Sequence, residues 1–100
     1  MIQGTTPLHK FDLPIDLNII KSLSIIYSQH GDVVLKKSLE DCTTNESSVM
    51  VKLTQEETLL FNENTSVQLQ VRVLTTTNEA LASQIMRVPV YMILDKVVLE

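Results

Sequence analysis

Ser66-Val67-Gln68-Leu69-Gln70-Val71-Arg72-Val73-Leu74-Thr75 is the stretch whose reading decides the class of fold. Val67, Leu69, Val71 and Val73 alternate with Gln68, Gln70 and Arg72, and a period of two residues puts all four apolar side chains on one face of a pleated strand. A helix would scatter them around its circumference. The stretch predicts a strand over 66–75 with one face on a core.

Working outward, the same alternation recurs. Leu23, Ile25 and Tyr27 alternate with Ser22, Ser24 and Ser28, and after Gln29-His30-Gly31-Asp32 a second apolar run follows, Val33-Val34-Leu35. Gly31 can take the positive φ of a tight hairpin, so the two runs are expected to pair antiparallel. Val49, Val51 and Leu53 alternate with Met50 and Lys52 after the polar stretch Thr43 to Ser48, and a shorter strand is expected over His9 to Leu13. Between Pro14 and Lys21 the apolar residues Ile15, Leu17, Ile19 and Ile20 fit neither period, and that segment reads as a loop.

Thr54-Gln55-Glu56-Glu57 has the spacing of a capping box, which predicts a single helical turn with Leu59, Leu60 or Phe61 plugging one end of the core. Beyond the turn Thr75 to Glu79, Ala80 to Val90 reads as a strand. Pro89 cannot donate to a ladder, so its second half belongs at a sheet edge. About six or seven short strands with turns roughly every 8 to 12 residues predict a mainly β fold, a small β-sandwich. An immunoglobulin-like topology is the first expectation and a small open β-barrel the second.

One hundred residues make room for a single domain, 1–100, and 44% apolar composition is enough to order it. The net charge of −4 and the scattering of the basic residues, with Lys36-Lys37 the only adjacent pair, exclude nucleic acid as an expected partner. No apolar run of about 18 residues occurs, and Met1 to Pro7 lacks the pattern of a signal peptide, so no membrane partner is expected and folding is expected in a cytoplasm. Cys42 is alone and can close no internal disulfide.

Chemistry finds little to work with. His9 and His30 stand at no metal-ligand spacing from each other or from Cys42, and read as a strand residue and a solvated turn residue. Cys42 follows Asp41, which raises a thiol pKa, and reads as a small buried hydrophobe. Glu56 and Glu57 are adjacent on a helical turn and do not face each other; capping accounts for Glu57. Two glycines, Gly4 and Gly31, cannot build a phosphate loop. The expectation is a protein that is not an enzyme, with no catalytic residues, metal or cofactor.

Surface remains. The alternation turns Ile26, Met50 and Leu74 away from the first core layer, toward a second layer or toward another subunit. The C-terminal segment is unusually apolar, and its run Tyr91-Met92-Ile93-Leu94 is either a last strand or a surface that docks on a neighbour.

Several phrases stand together: Gly4-Thr5-Thr6-Pro7-Leu8-His9-Lys10-Phe11-Asp12-Leu13-Pro14, Tyr27-Ser28-Gln29, Val51-Lys52-Leu53-Thr54-Gln55-Glu56-Glu57-Thr58, Gln68-Leu69-Gln70-Val71-Arg72-Val73-Leu74 and Ala80-Leu81-Ala82-Ser83. With them the chain resembles a group of small structural-module proteins encoded by tailed bacteriophages and prophages of Gram-positive bacteria. Thr77-Asn78 departs from the Asp-Gly or Gly-Gly turn expected of the group. The resemblance implies a structural virion protein, first of the tail or baseplate, then a head decoration protein. Its partners would be other virion proteins or itself in a homo-oligomer, and its place the virion. A small inhibitor that binds one host protein is the alternative from a different class.

Overall fold

In the computed structural model, which describes residues 1–100, the chain forms eight strands: β1 (Leu8–Asp12), β2 (Ile20–Gln29), β3 (Asp32–Ser38), β4 (Thr43–Asn45), β5 (Ser48–Lys52), β6 (Thr65–Thr75), β7 (Ala80–Ala82) and β8 (Met86–Val90). A helical turn, α1 (Gln55–Thr58), connects β5 to β6. All strand pairings are antiparallel, in a three-stranded sheet of order β1-β5-β4 and a five-stranded sheet of order β3-β2-β6, with β7 and β8 both along the far side of β6. The sheets do not close into a barrel.

That order is the immunoglobulin one. β1, β5 and β4 take the places of strands B, E and D, while β2, β3, β6 and the β7–β8 edge take those of C, C′, F and G. No strand fills the place of A beside β1. Instead Ile2 forms a parallel bridge with Tyr91, next to the end of β8. With one cysteine and no tryptophan, the chain has neither the inter-sheet disulfide nor the buried indole of antibody domains.

The core lies between the sheets and follows the alternation residue by residue. Phe11, Val49 and Val51 face it from one sheet, and Leu23, Ile25, Tyr27, Val67, Leu69 and Val71 from the other. Gln29 and Asp32 pair across the hairpin, and His30 and Gly31 between them have φ of 53° and 80°, the two positive values of a type I′ turn. Asn78, at φ 65°, takes the left-handed position that a glycine was expected to fill, since asparagine tolerates it.

Three segments differ from their sequence reading. Leu17–Ile19 forms a 3-10 turn capped by the Asp16 carboxylate, which accepts from the Asn18 amide, and β2 begins directly after it. Thr43–Asn45 is a strand although its sequence shows no alternation; all three residues are exposed on a sheet edge, where there is no buried face to imprint a pattern. The expected strand over Ala80 to Val90 is interrupted at Ser83–Ile85.

The interruption is a one-residue bulge. Leu81 lies opposite Val73, but Met86 and Val88 lie opposite Leu69 and Val67, so inward positions change from odd to even numbers across it. Ser83 fixes the kink: its Oγ accepts from the Val71 amide at 3.0 Å, and its carbonyl accepts from Gln70 Nε2. Past the bulge the Val90 carbonyl points to Asn64, and the Pro89 carbonyl points the opposite way, to the Met1 nitrogen. The missing Pro89 N–H therefore falls on the outer edge, as its chemistry requires.

Phe61, 1% exposed, is the plug that the capping box leads to. Two buried glutamines hold its loop. Gln29 on β2 donates Nε2 to the Asn62 carbonyl and accepts the Asn62 amide on Oε1, at 3.0 and 2.7 Å. Gln3 donates to the Phe61 carbonyl at 2.7 Å. Each amide side chain satisfies backbone groups that no strand reaches.

Candidate functional site

The titratable residues that converge are His9, Tyr27, Lys37, Cys42 and Glu57. His9 and Phe11 share the inward face of β1, and the His9 imidazole meets the Tyr27 hydroxyl across the two sheets, Nδ1 to OH at 2.9 Å. The Tyr27 ring is buried and lies 5.9 Å, centroid to centroid, from Phe61. Nearby, Thr54 accepts the Glu57 amide and Glu57 Oε1 accepts the Thr54 amide, so both halves of the capping box form. The second Glu57 oxygen pairs with the Lys37 ammonium, tying α1 to β3 with both side chains mostly covered.

Electrostatics follow from burial. Desolvation holds the His9 imidazole below its ordinary pKa, with the positive Met1 nitrogen adding to the effect. Desolvation also pushes the Tyr27 phenol up, as do Cys42 and Glu57 nearby. Burial acts to raise Glu57, but the bonds from Lys37 and from the Thr54 amide outweigh it and hold its carboxyl below the ordinary range. Cys42 is half-buried, its thiol raised by desolvation and then by Asp41, and its Sγ donates to the Ser38 carbonyl at 3.2 Å. None of the five principal clefts is lined by any of these five residues. The cluster joins the sheets and α1.

The surface positions read from the sequence fall in separate places. Ile26 and Leu74 share the outer face of the five-stranded sheet, beside Gln70 and Ser22 respectively. Met50 lies on the outer face of the other sheet, between Lys10 and Thr43. All three are partly exposed and none joins the core cluster, so no second core layer covers them. The outward residues around Ile26 and Leu74 are Ser, Gln and Ala, with the exposed Ile85 beside Ile26, and the basic ones are Lys36, Arg72 and Arg87. At the end of β3 the Asp41 carboxylate reaches the edge of that face, accepting from the Ser38 hydroxyl at 3.1 Å.

The C-terminal segment presents a different surface. Only Tyr91 takes part in a β-bridge, and residues 92–100 form no strand, so the run is not a last strand of either sheet. Tyr91, Met92 and Leu94 are 56%, 54% and 95% exposed, and Val97 and Leu99 are 70% and 78% exposed. Ile93 and Val98 are the half-buried residues of the segment, and Ile93 turns in where its Cδ1 would come within 3.1 Å of a Cβ on Gly4, itself at φ 72°. Polar bonds add to the attachment. Gln55 donates Nε2 to the Leu99 carbonyl and accepts the Leu99 amide, at 3.0 and 2.8 Å, and Lys96 lies 3.6 Å from Glu63. Sequence reading missed these clamps; the polar glutamine at an inward position of β2 was the one legible sign of their kind.

Comparison with protein-family models, with curated proteins and with solved structures finds no match to this chain. No helix is long and apolar enough to cross a membrane.

Proposed function

We propose that the chain is a non-enzymatic structural protein of a tailed phage or prophage particle, a tail or baseplate component that works through protein contacts. The observation that carries the reading is the C-terminal surface. Five apolar side chains stand more than half exposed along a segment whose half-buried residues are Ile93 and Val98, which leaves the five available to a partner. The chain's resemblance to phage structural modules supports the particle, and the immunoglobulin-like sandwich supplies rigid faces and edges for contacts. Mass spectrometry of purified particles tests it: the protein should be present in a fixed copy number per particle, and its absence from particles that form normally would overturn the reading.

A further inference from the structure

We propose that the outer edge of β1 is a docking site for an extended segment of another protein, which joins the three-stranded sheet as an added strand and sets apolar side chains in the gap between the sheets. The site lies apart from the C-terminal surface and does not depend on the particle reading. Its basis is a row of unpaired backbone groups. The Leu13 amide bonds to the Ser47 carbonyl and the Leu53 amide to the Pro7 carbonyl, so the odd-numbered residues along β1 turn their backbone toward β5. Leu8, Lys10 and Asp12 turn theirs away. β1 ends its sheet, and no backbone bond outside the ladders reaches these three residues. Beside this edge the gap between the sheets is open. Leu81 and Met86 hold inward positions on β7 and β8 yet remain exposed. At the Asp12 end, a cleft of about 130 Å³ is lined by Leu13, Pro14, Ile15, Val71, Val73 and Leu81.

An apolar cleft alone would take many occupants, but donors and acceptors repeating at strand spacing beside it call for an extended backbone. The footprint is that of a peptide. Five residues of edge and one cleft fall short of the ~800 Å² per partner that holds two globular copies together. Charge narrows the chemistry further. Lys10 and Asp12 lie on the outward face of the edge, so an antiparallel segment with an acidic residue opposite Lys10, a basic one opposite Asp12 and apolar residues between them fits both faces. The β1 edge of a second copy does not fit. In the register that pairs all three residues of both edges, Lys10 meets Lys10, and the inward His9 and Phe11 are already engaged inside their own sandwich. The C-terminal run of a second copy is tied back at Leu99 by both bonds to Gln55.

The blocked peptide Thr-Val-Lys-Val-Glu-Val-Thr has this pattern and serves as the probe. It should bind the full chain with Kd below about 1 mM, and at saturation amide hydrogen exchange at Leu8, Lys10 and Asp12 should slow about tenfold or more while Ala80 and Ala82 on the edge of β7 stay unchanged. N-methylation of its Lys and Glu, whose amides face β1, should abolish binding; N-methylation of the valines, whose amides face away, should not. Lys10→Pro removes one edge donor and Leu81→Asp places a carboxylate in the cleft, both at exposed positions. Each should weaken binding about tenfold or more with an unchanged circular dichroism spectrum. No binding at about 1 mM, protection at Ala80 and Ala82 instead, or an affinity indifferent to both substitutions overturns the proposal. Protection of Leu8, Lys10 and Asp12 that grows with protein concentration in the absence of peptide would assign the edge to a second copy and overturn it as well.

Discussion

Replacing Gln29 separates the energetics of the buried glutamine from those of the apolar core around it. The residue is 3% exposed, and its amide makes two bonds to the Asn62 backbone, one donated and one accepted. Gln29→Leu keeps the volume and removes both. A buried backbone group left unpaired costs about 1 to 3 kcal/mol, and the exposed Asn62 side lets water reach part of the gap, so the expected loss is about 2 kcal/mol in total. Gln29→Glu is the sharper probe. At pH 7 the carboxylate still accepts the Asn62 amide but confronts the Asn62 carbonyl with no donor, in a desolvated place, and about 3 kcal/mol or more should be lost. Protonation restores a donor. The introduced carboxyl should therefore titrate above the ordinary ~4.3 in the folded state, so the native interaction is present below that value and lost as pH rises through the folded pKa. Urea unfolding of both variants beside the parent, at pH 7 and pH 4, measures this. The gap between parent and Gln29→Glu should shrink at pH 4. A gap independent of pH, or a Leu variant within about 0.5 kcal/mol of the parent, would refute the assignment of stability to these two bonds.

Other consequences are as direct. Leu69→Ala should cost about 2 to 5 kcal/mol in chemical denaturation, and Gln68→Ala on the opposite face of β6 no more than roughly 0.5; the reverse order would mean a register slip of one residue. Thr54→Ala should destabilise by about 0.5 to 2 kcal/mol, with an unchanged circular dichroism spectrum at low denaturant, through loss of the cap on α1. His9 is held neutral by burial, so the unfolded chain binds its proton first as pH falls. Stability from this site is intact above the ordinary imidazole value and declines as pH drops through the folded pKa. Thermal melts from pH 8 to pH 5 should show a shallower decline for His9→Gln than for the parent, and parallel curves would rule out His9 as the source.

How much of this was legible depended on whether a residue's role was periodic or tertiary. The alternation in β6, β2 and β5 reported the sandwich because each strand buries one face, and Thr54 and Glu57 reported their cap because both bonds are local. The strand β4 was illegible since an exposed edge imposes no pattern. The meeting of His9 with Tyr27, and of Gln3 and Gln29 with the Phe61–Asn62 loop, joins residues far apart in the chain, which no spacing encodes. Parity offered a partial signal. Gln29 continues the inward series Leu23, Ile25, Tyr27, and a polar residue there had to find partners inside. In the C-terminal segment the composition showed an apolar run; only the structure shows that Ile93 and Val98 are the residues it half-buries.

The bulge at Ser83 has a consequence for how the chain can change length. With it, Met86, Val88 and Val90 face the core while Pro89 turns its nitrogen outward. Were the chain to run on from Leu81 without the bulge at its present length, Arg87 and Pro89 would point inward, and the proline would confront β6 with an absent donor. Loss of one residue between Ser83 and Ile85 has the opposite effect: Leu81 and Met86 would stand four positions apart, and an unbroken ladder would carry the same residues inward. The extra residue is thus the one position in this edge that the chain can lose without turning the rest of the strand over.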